Sequence, residues 1–235
     1  MPQPEARDAR VLILDYSMDR SEAALFRRGI PEGIPTEAVF VRSGEDVPDP
    51  SGFTHVMHSG SSLSICRDAP FLPEAGALIE RLASEGVPQL GICYGHQLLC
   101  RILVGPGAVR KAPGGLEMGW CGVAQPGDPP EVPEAGRHFT VLQSHFDEVV
   151  EVPGGSEIAM TGGGSRIQGF VHRGMKLFGM QFHPEFDREE GNRMFLRERR
   201  LAEENGLDVD EIVAGGPSID SGRIFFGHFL DRFAP

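Results

Sequence analysis

The segment QLGICYGHQLL, residues 89–99, joins a short apolar run to a helix-forming run across a single cysteine. The first part is typical of a buried strand and the second part of a helix. Gly91, Cys93 and Gly95 fit the pattern glycine–x–nucleophile–x–glycine, in which a sharp turn between strand and helix presents a nucleophile. We therefore predict that Cys93 occupies a strained turn with its thiol exposed. At a helix N-terminus, the dipole and the free backbone N–H groups favour the thiolate.

The segments before residue 105 alternate between strand-like and helix-like patterns. Apolar runs end in polar or glycine-containing loops, and apolar residues then recur at helical spacing. Ser21 is the predicted N-cap of the first helix, and Gly29 its end. This alternation predicts an α/β fold with a mostly parallel central sheet, flanked by helices on both faces. The predicted strands are 10–17, 36–42, 54–62 and 87–93, and the predicted helices are 21–29, 70–86 and 94–103.

The pattern changes after residue 105. Short alternating segments, punctuated by glycine and proline, predict a small antiparallel addition to the sheet. Residues 187–206 carry acids at their start and bases later, as the dipole of a helix favours. Residues 222–233 read as an amphipathic helix that docks on the core. We expect residues 1–235 to form one domain.

The composition limits the partners and the location of the protein. The chain has 22 lysines and arginines against 34 aspartates and glutamates, which gives a formal net charge of −12. This charge repels a phosphate backbone, so we expect no nucleic-acid partner. No apolar run approaches the ~20 residues of a membrane span, and the N-terminus lacks the apolar core of a signal peptide. We therefore expect a cytoplasmic protein with no membrane partner.

The four cysteines show no metal-binding or disulfide pattern. No C-x-x-C pair occurs, and the spacing of the four cysteines suggests neither a zinc site nor a disulfide framework. We predict that Cys66, Cys100 and Cys121 are small buried or half-buried apolar residues. No metal or cofactor is expected.

A candidate base for Cys93 lies in GMQFHPEF, residues 179–186. In an extended segment, residues two apart point to the same side, so His183 and Glu185 share a face. The carboxylate then binds one imidazole nitrogen and directs the other at a nucleophile. The spacing therefore predicts a Cys–His–Glu arrangement if the fold brings the two segments together.

Two of these motifs resemble the class I glutamine amidotransferase family, in its GMP-synthetase-like branch. They are GICYGHQ at 91–97 and MQFHPEF at 180–186, in this order and separation. HSGSS at 58–62 is similar to the oxyanion loop of the family, and SHFDEVVEVP at 144–153 to its S-H-x-D-x-V stretch. Residues 117–119 are similar to its E-x-G segment. The resemblance implies a flavodoxin-like fold and hydrolysis of the side-chain amide of glutamine.

The resemblance also implies roles for residues of this chain. Cys93 is the expected nucleophile, His183 the general base and acid, and Glu185 the carboxylate that orients the imidazole. Tyr94 and either Gly60 or Ser61 are expected to donate backbone N–H groups to the oxyanion. The residues expected to hold the glutamyl part of the substrate are Gln97, Ser144, His145, Phe146 and Asp147.

Two other functions remain open at this point. Many members of the family work with a synthetase that consumes the ammonia, so an ammonia-accepting synthetase subunit is an expected partner. The chain contains no adenylating or phosphate-binding motif, and SGSSLS at 59–64 lacks a second glycine or proline that is common in the oxyanion loop. A γ-glutamyl peptidase or hydrolase that acts on glutathione-like amides is therefore one alternative. A non-catalytic regulatory or binding protein of the same fold is the other.

Overall fold

The structure is a computed structural model that describes residues 8–45, 47–127, 132–133 and 138–233. The first four strands are interspersed with α1, α2 and α3, and seven further strands then precede the remaining described helices. The strands are β1 (Val11–Asp15), β2 (Thr36–Phe40), β3 (His55–His58), β4 (Gln89–Ile92), β5 (Val109–Lys111), β6 (Glu117–Ala124), β7 (His138–His145), β8 (Asp147–Val149), β9 (Glu157–Gly162), β10 (Gly169–His172) and β11 (Leu177–Met180). The helices are α1 (Glu22–Gly29), α2 (Leu72–Glu85), α3 (Tyr94–Leu103), α4 (Arg188–Arg197), α5 (Arg199–Glu204), α6 (Val209–Ala214) and α7 (Ser221–Arg232).

The described strands form one large sheet and one small sheet. The large sheet has nine strands in the order β2-β1-β3-β4-β11-β10-β9-β6-β7 among the described residues. The strands from β2 to β11 in this order run parallel, and those from β11 to β7 pair antiparallel. A separate antiparallel pair joins β5 to β8. The α/β fold and the antiparallel addition that the sequence predicts are confirmed.

The pairing of β4 with β11 positions the site. The two strands are parallel neighbours, with Ile92 opposite Met180. Their carboxyl ends therefore lie side by side at one edge of the sheet. Cys93 directly follows β4, and His183 lies three residues beyond β11. The fold thus brings together two segments that are far apart in sequence.

Both faces of the parallel half are buried. Along β1, Val11 and Ile13 belong to an apolar cluster with α1 and α7, whereas Leu12 and Leu14 belong to the cluster with α2 and α3. Such two-sided burial is why the strand reads as a continuous apolar run. Phenylalanines of α7 pack on the first face, as the amphipathic pattern of residues 222–233 predicts. They include Phe225, Phe226 and Phe229, all fully buried.

Two local predictions are wrong, and a third is confirmed only in position. The predicted helix 187–206 is divided at Glu198, which is not helical and separates α4 from α5. The strand predicted at 36–42 ends at Phe40, where a 3-10 turn begins. Ser21 stands at the N-cap position of α1, but its hydroxyl makes no capping bond within the described residues: Asp15 Oδ2 accepts the N–H of Ala23 at 3.0 Å instead.

The cysteines outside the site differ in environment. Cys100 is buried and Cys121 is partly buried, as predicted. Cys66 is exposed, so its prediction as a buried or half-buried residue is wrong, since it lies in the turn after the loop of residues 60–64. Within the described ranges, none of the helices has the length and apolarity that a membrane crossing requires.

Candidate active site

Cys93 lies at the turn between β4 and α3 in a rare backbone conformation. Its φ is 48° and its ψ is −102°. A non-glycine residue at positive φ costs about 1–3 kcal/mol and persists only where its surroundings enforce it. Here the N–H of Cys93 donates to the carbonyl of Met180 at 2.8 Å, and its carbonyl accepts the N–H of Gln97 at 3.0 Å. The turn is therefore fixed from the sheet on one side and from the helix on the other.

The two glycines beside Cys93 allow the strand and the helix to approach each other. A Cβ atom at Gly91 would lie 2.6 Å from backbone atoms of Gly95 and His96. A Cβ atom at Gly95 would lie 2.3 Å from the carbonyl oxygen of His58. Both distances are much shorter than a van der Waals contact, and the backbone atoms at these places cannot move aside. Only glycine fits at either position.

The thiol lies at the bottom of a cleft. The cleft has a volume of about 460 Å³, and Cys93, His183 and Ser144 contribute to its lining. Cys93 is only 3% exposed, so the prediction that its thiol is exposed to solvent is wrong. The turn presents the sulfur to the cleft, whose walls shield it from bulk solvent.

His183 contacts both Cys93 and Glu185. Its N–H donates to the carbonyl of Leu142 at 2.9 Å, which fixes the backbone after β11. Its Nδ1 lies 2.6 Å from Oε1 of Glu185, and its side chain also forms a hydrogen bond with the Cys93 thiol. Since Nδ1 is occupied by the carboxylate, Nε2 is the nitrogen that is left for the thiol. The structure thus brings all three expected triad residues together.

The charges around His183 favour its protonated form. Burial alone would lower the pKa of this imidazole. The carboxylate of Glu185 and the Cys93 thiol, each hydrogen-bonded to the ring, outweigh burial and raise the pKa of His183 well above 6.5. An imidazolium next to the sulfur stabilises a thiolate and holds a proton for a leaving group.

Gln181 is a residue of the site that the sequence analysis missed. Its side chain is fully buried, and its Nε2 donates to Cys93 Sγ at 3.6 Å. Its Oε1 accepts the Nε2 of Gln97 at 3.1 Å. In an extended segment, residues two apart point to the same side, so Gln181 shares a face with His183 as Glu185 does. This spacing could have identified Gln181 from the sequence.

The residues expected at the oxyanion position have free backbone N–H groups among the described residues. Within the described residues, the backbone N–H groups of Gly60, Ser61 and Tyr94 donate to no protein acceptor. Gly60 lies so close to His183 that a Cβ atom on it would be 2.8 Å from the Cε1 of the imidazole. Gly60 therefore lies beside the imidazole, whereas Tyr94 directly follows Cys93 at the start of α3.

The expected substrate-binding residues line the cleft, but several are already bonded to protein. Gln97 Nε2 donates to the carbonyl of Asp147 at 2.8 Å. The carboxylate of Asp147 accepts Ser64 Oγ at 2.7 Å and lies 2.8 Å from Lys111 Nζ. His145 Nε2 lies 3.0 Å from a carboxylate oxygen of Glu117. The bond between Ser64 and Asp147 ties the loop after β3 to the start of β8. The carbonyl of Ser144 lies 3.9 Å from Sγ of Cys93, and Phe146 is 37% exposed.

Comparison with known proteins decides the family. The family model for class-I glutamine amidotransferases matches residues 64–201, more than half of the 235 residues. This chain belongs to the class I glutamine amidotransferases. The matched range includes Cys93, His183 and Glu185.

Curated relatives and solved structures agree with this assignment of the amidotransferase. One subunit of the glutamine-hydrolysing GMP synthase of Sulfolobus acidocaldarius is 32% identical over 149 residues, which are 63% of this chain and 76% of that protein. The glutamine-hydrolysing GMP synthase of Gibberella zeae is 32% identical over 197 residues, 80% of this chain and 33% of that protein. The crystal structure of a glutamine amidotransferase from Thermotoga maritima superposes with a TM-score of 0.79 at 23% identity, covering 96% of this chain and 97% of that one. That superposition shows the same fold.

The cleft of this amidotransferase extends from the triad along an apolar wall. The wall is formed by side chains of β6, β7, α4 and α5 and of the loops next to β6 and β11. Arg197 and Glu198, at the junction of α4 and α5, line the same cleft. The apolar residues of the wall are Leu116, Met118, Leu142, Phe186, Met194 and Leu201.

Proposed function

We propose that this amidotransferase hydrolyses the side-chain amide of glutamine, with Cys93 as the nucleophile, His183 as the general base and acid, and Glu185 as the carboxylate that orients the imidazole. The observation that carries the proposal is that His183 contacts both Cys93 and Glu185, and that Cys93 and His183 line one cleft. The family assignment supports amide hydrolysis, and the geometry supports these three residues.

The chemistry follows from the positions of the protons. His183 takes the proton of Cys93 as the sulfur attacks the amide carbon, so that the carbonyl oxygen becomes an oxyanion. The N–H groups of Tyr94 and of Gly60 or Ser61 stabilise this charge. The C–N bond then breaks while His183 gives its proton to the nitrogen, which leaves as ammonia. In the second half, His183 takes a proton from water, the hydroxide attacks the thioester, and glutamate leaves as the thiolate reforms.

For substrate binding, we propose that the glutamyl part lies against the segment from Ser144 to Asp147. Ser144 and Phe146 face the cleft, whereas Gln97, His145 and Asp147 hold its walls in place through the bonds described above. Gln97 then acts through Gln181 and the backbone of Asp147. This division is consistent with a substrate that is clamped mainly by backbone groups.

We further propose that residues 1–235 form one domain that delivers ammonia to a synthetase subunit. Free ammonia becomes ammonium in neutral water and loses its nucleophilicity, so a protected transfer is needed. Two exposed apolar side chains line the cleft: Met18 is 53% exposed and Phe146 is 37% exposed. Exposed apolar groups at one site favour docking of a partner. The relative from Sulfolobus acidocaldarius is itself named as a subunit.

A second function has a specific observation in its favour. Ammonia is no larger than a water molecule, yet the apolar wall formed by Met118, Phe186, Met194 and their neighbours continues beyond the triad. This space suits the amine side of a γ-glutamyl amide with an apolar leaving group. The same three residues would cleave such a bond by the same steps.

One assay separates the two functions. The purified chain is incubated with glutamine, with γ-glutamyl-leucine and with glutathione, and released ammonia, amine and glutamate are quantified. Glutamine hydrolysis predicts equal amounts of ammonia and glutamate with glutamine and no amine from the peptides. Release of leucine or cysteinylglycine at a higher kcat/KM than ammonia would favour the second function. No release from any of them would contradict both.

A further inference from the structure

Glu22, the first residue of α1, brings a second carboxyl group up to the triad. The carboxyl groups of Glu22 and Glu185 are within hydrogen-bonding reach of each other. One carboxylate oxygen of Glu22, one of Glu185 and one imidazole nitrogen of His183 all lie within 4.8 Å of one another. On the other side, a Cβ atom at Gly60 would lie 3.7 Å from Oε2 of Glu22. Glu22 therefore lies between the loop after β3 and the carboxylate that orients the imidazole.

The fold holds Glu22 in this place from its backbone. Asp15, the last residue of β1, accepts the N–H of Ala23 at 3.0 Å and so fixes the first turn of α1. Ala23 itself is buried in the core. Because α1 begins at the same sheet edge as the triad, its first side chain points to the site.

Each of the two carboxyl groups has a buried oxygen atom that lacks a hydrogen-bond donor. In the described part of the chain, Oε2 of Glu22 and Oε2 of Glu185 are both buried and have no donor. A buried acceptor without a donor costs about 1–3 kcal/mol. One proton shared by the two groups removes both deficits, since a protonated carboxyl donates one hydrogen bond.

The charges around Glu22 favour the protonated form. Burial and the negative charge of Glu185 raise the pKa of Glu22 from 4.5 to about 8. Asp15 acts in the same direction, whereas His183 opposes it. These groups face Glu22 from the end of β1 and from the segment after β11. At neutral pH Glu22 is therefore a carboxylic acid.

We propose that Glu22 is a positioning residue whose protonated carboxyl donates a hydrogen bond to Oε2 of Glu185, which keeps Oε1 of Glu185 on Nδ1 of His183. The inference rests on the proposed function for its catalytic consequence and on contacts alone for its geometry. It extends the triad to a chain of four groups, from Glu22 through Glu185 and His183 to Cys93. When Glu22 loses its proton at high pH, two adjacent carboxylates repel, and the imidazole loses its support.

The presence of the proton is tested without any substrate. Infrared spectra at pH 7 are compared for the wild type, Glu22→Gln and a matched control, Glu32→Gln, in which the exposed Glu32 is changed. We expect the carbonyl stretch of a protonated carboxyl group in the wild type and in the control, and its loss in Glu22→Gln. A band that is absent from the wild type, or unchanged in Glu22→Gln, would overturn the proposal.

The positioning role is tested on the thiol itself. Alkylation of Cys93 by iodoacetamide is followed by mass spectrometry of its peptide, so that the result does not depend on glutamine turnover. We expect Glu22→Ala to slow alkylation at pH 7 about tenfold. Glu22→Gln, whose amide N–H still donates to Glu185, should restore most of that rate. Equal rates in wild type and Glu22→Ala would overturn the positioning role even if the chain proved to have another activity.

The pH profile of kcat supplies a readout that a merely structural residue would not change. We expect kcat of the wild type to fall above about pH 8 as Glu22 ionises, and Glu22→Gln to keep its plateau to higher pH. The KM of Glu22→Gln should differ little from that of the wild type. The same fall in both proteins would contradict the proposal.

Loss of wild-type activity in EDTA, with recovery in Zn²⁺, would show that a cation and not a proton joins the carboxyl groups. Circular dichroism confirms that each variant is folded.

Discussion

His183 Nδ1 lies 2.6 Å from Oε1 of Glu185, and the same imidazole also contacts Cys93. Both residues are buried, so the carboxylate acts on the imidazole with little screening by water. This contact raises the pKa of His183 against the effect of burial. The orientation and the charge of the imidazole therefore depend on the same carboxylate.

We predict that Glu185→Gln lowers the pKa of His183, because burial is then opposed by Cys93 without the carboxylate. A smaller fraction of the ring is charged at pH 7 in the variant than in the wild type, which ¹⁵N NMR of the imidazole measures. The high-pH limb of kcat should move to lower pH, since the proton for ammonia is lost earlier. We expect kcat to fall by about 10²-fold or more, with residual activity. An imidazole that stays protonated in Glu185→Gln would contradict this assignment.

Gln181 tests whether an amide donor stabilises the thiolate. We predict that Gln181→Leu lowers kcat by about tenfold, the effect of one lost hydrogen bond to a charged group, and leaves KM nearly unchanged. The matched control is Gln143→Leu, since Gln143 is equally buried but bonds to Gln168 and not to the sulfur. Both variants should lose stability in urea. If both slow the alkylation of Cys93 equally, the effect is one of packing and the donor role is wrong.

A substitution at Gly95 tests whether α3 must lie as close to β3 as the structure shows. A Cβ atom there would lie 2.3 Å from the carbonyl oxygen of His58, so Gly95→Ala must push α3 off the sheet. We predict a loss of about 3 kcal/mol in the free energy of unfolding, together with loss of Cys93 reactivity. Gly107→Ala serves as the control, because no atom of the described residues lies within 4 Å of a Cβ atom placed there. Urea denaturation compares the two, and equal stabilities would show that the backbone can yield at Gly95.

The sequence predicted those parts of the fold that depend on local patterns. The apolar run of β1 indicated burial on both faces, and Val11 and Leu12 do pack in different clusters. The pattern around Cys93 predicted a turn between strand and helix, and the positive φ of Cys93 agrees with it. These features follow from residue type and spacing, which a single segment contains.

Features that depend on tertiary contacts were not predictable in this way. Ser21 reads as a helix cap, but Asp15 reaches Ala23 from the end of a neighbouring strand. The walls of the cleft bury Cys93, although its own turn suggests an exposed thiol. Glu22 stands in a segment with no catalytic motif, and only the packing of α1 brings it to Glu185.

The most direct test of the proposed triad is a comparison of glutamine hydrolysis in wild type, Cys93→Ala and Cys66→Ala. Initial rates of ammonia release are measured, and acid-quenched samples are analysed by mass spectrometry for a glutamyl thioester. We predict that the wild type and Cys66→Ala release ammonia at similar rates and carry the thioester on Cys93. In Cys93→Ala, release should fall by at least about 10³-fold with no adduct. Ammonia release by Cys93→Ala at the wild-type rate, or an adduct on another cysteine, would contradict the account.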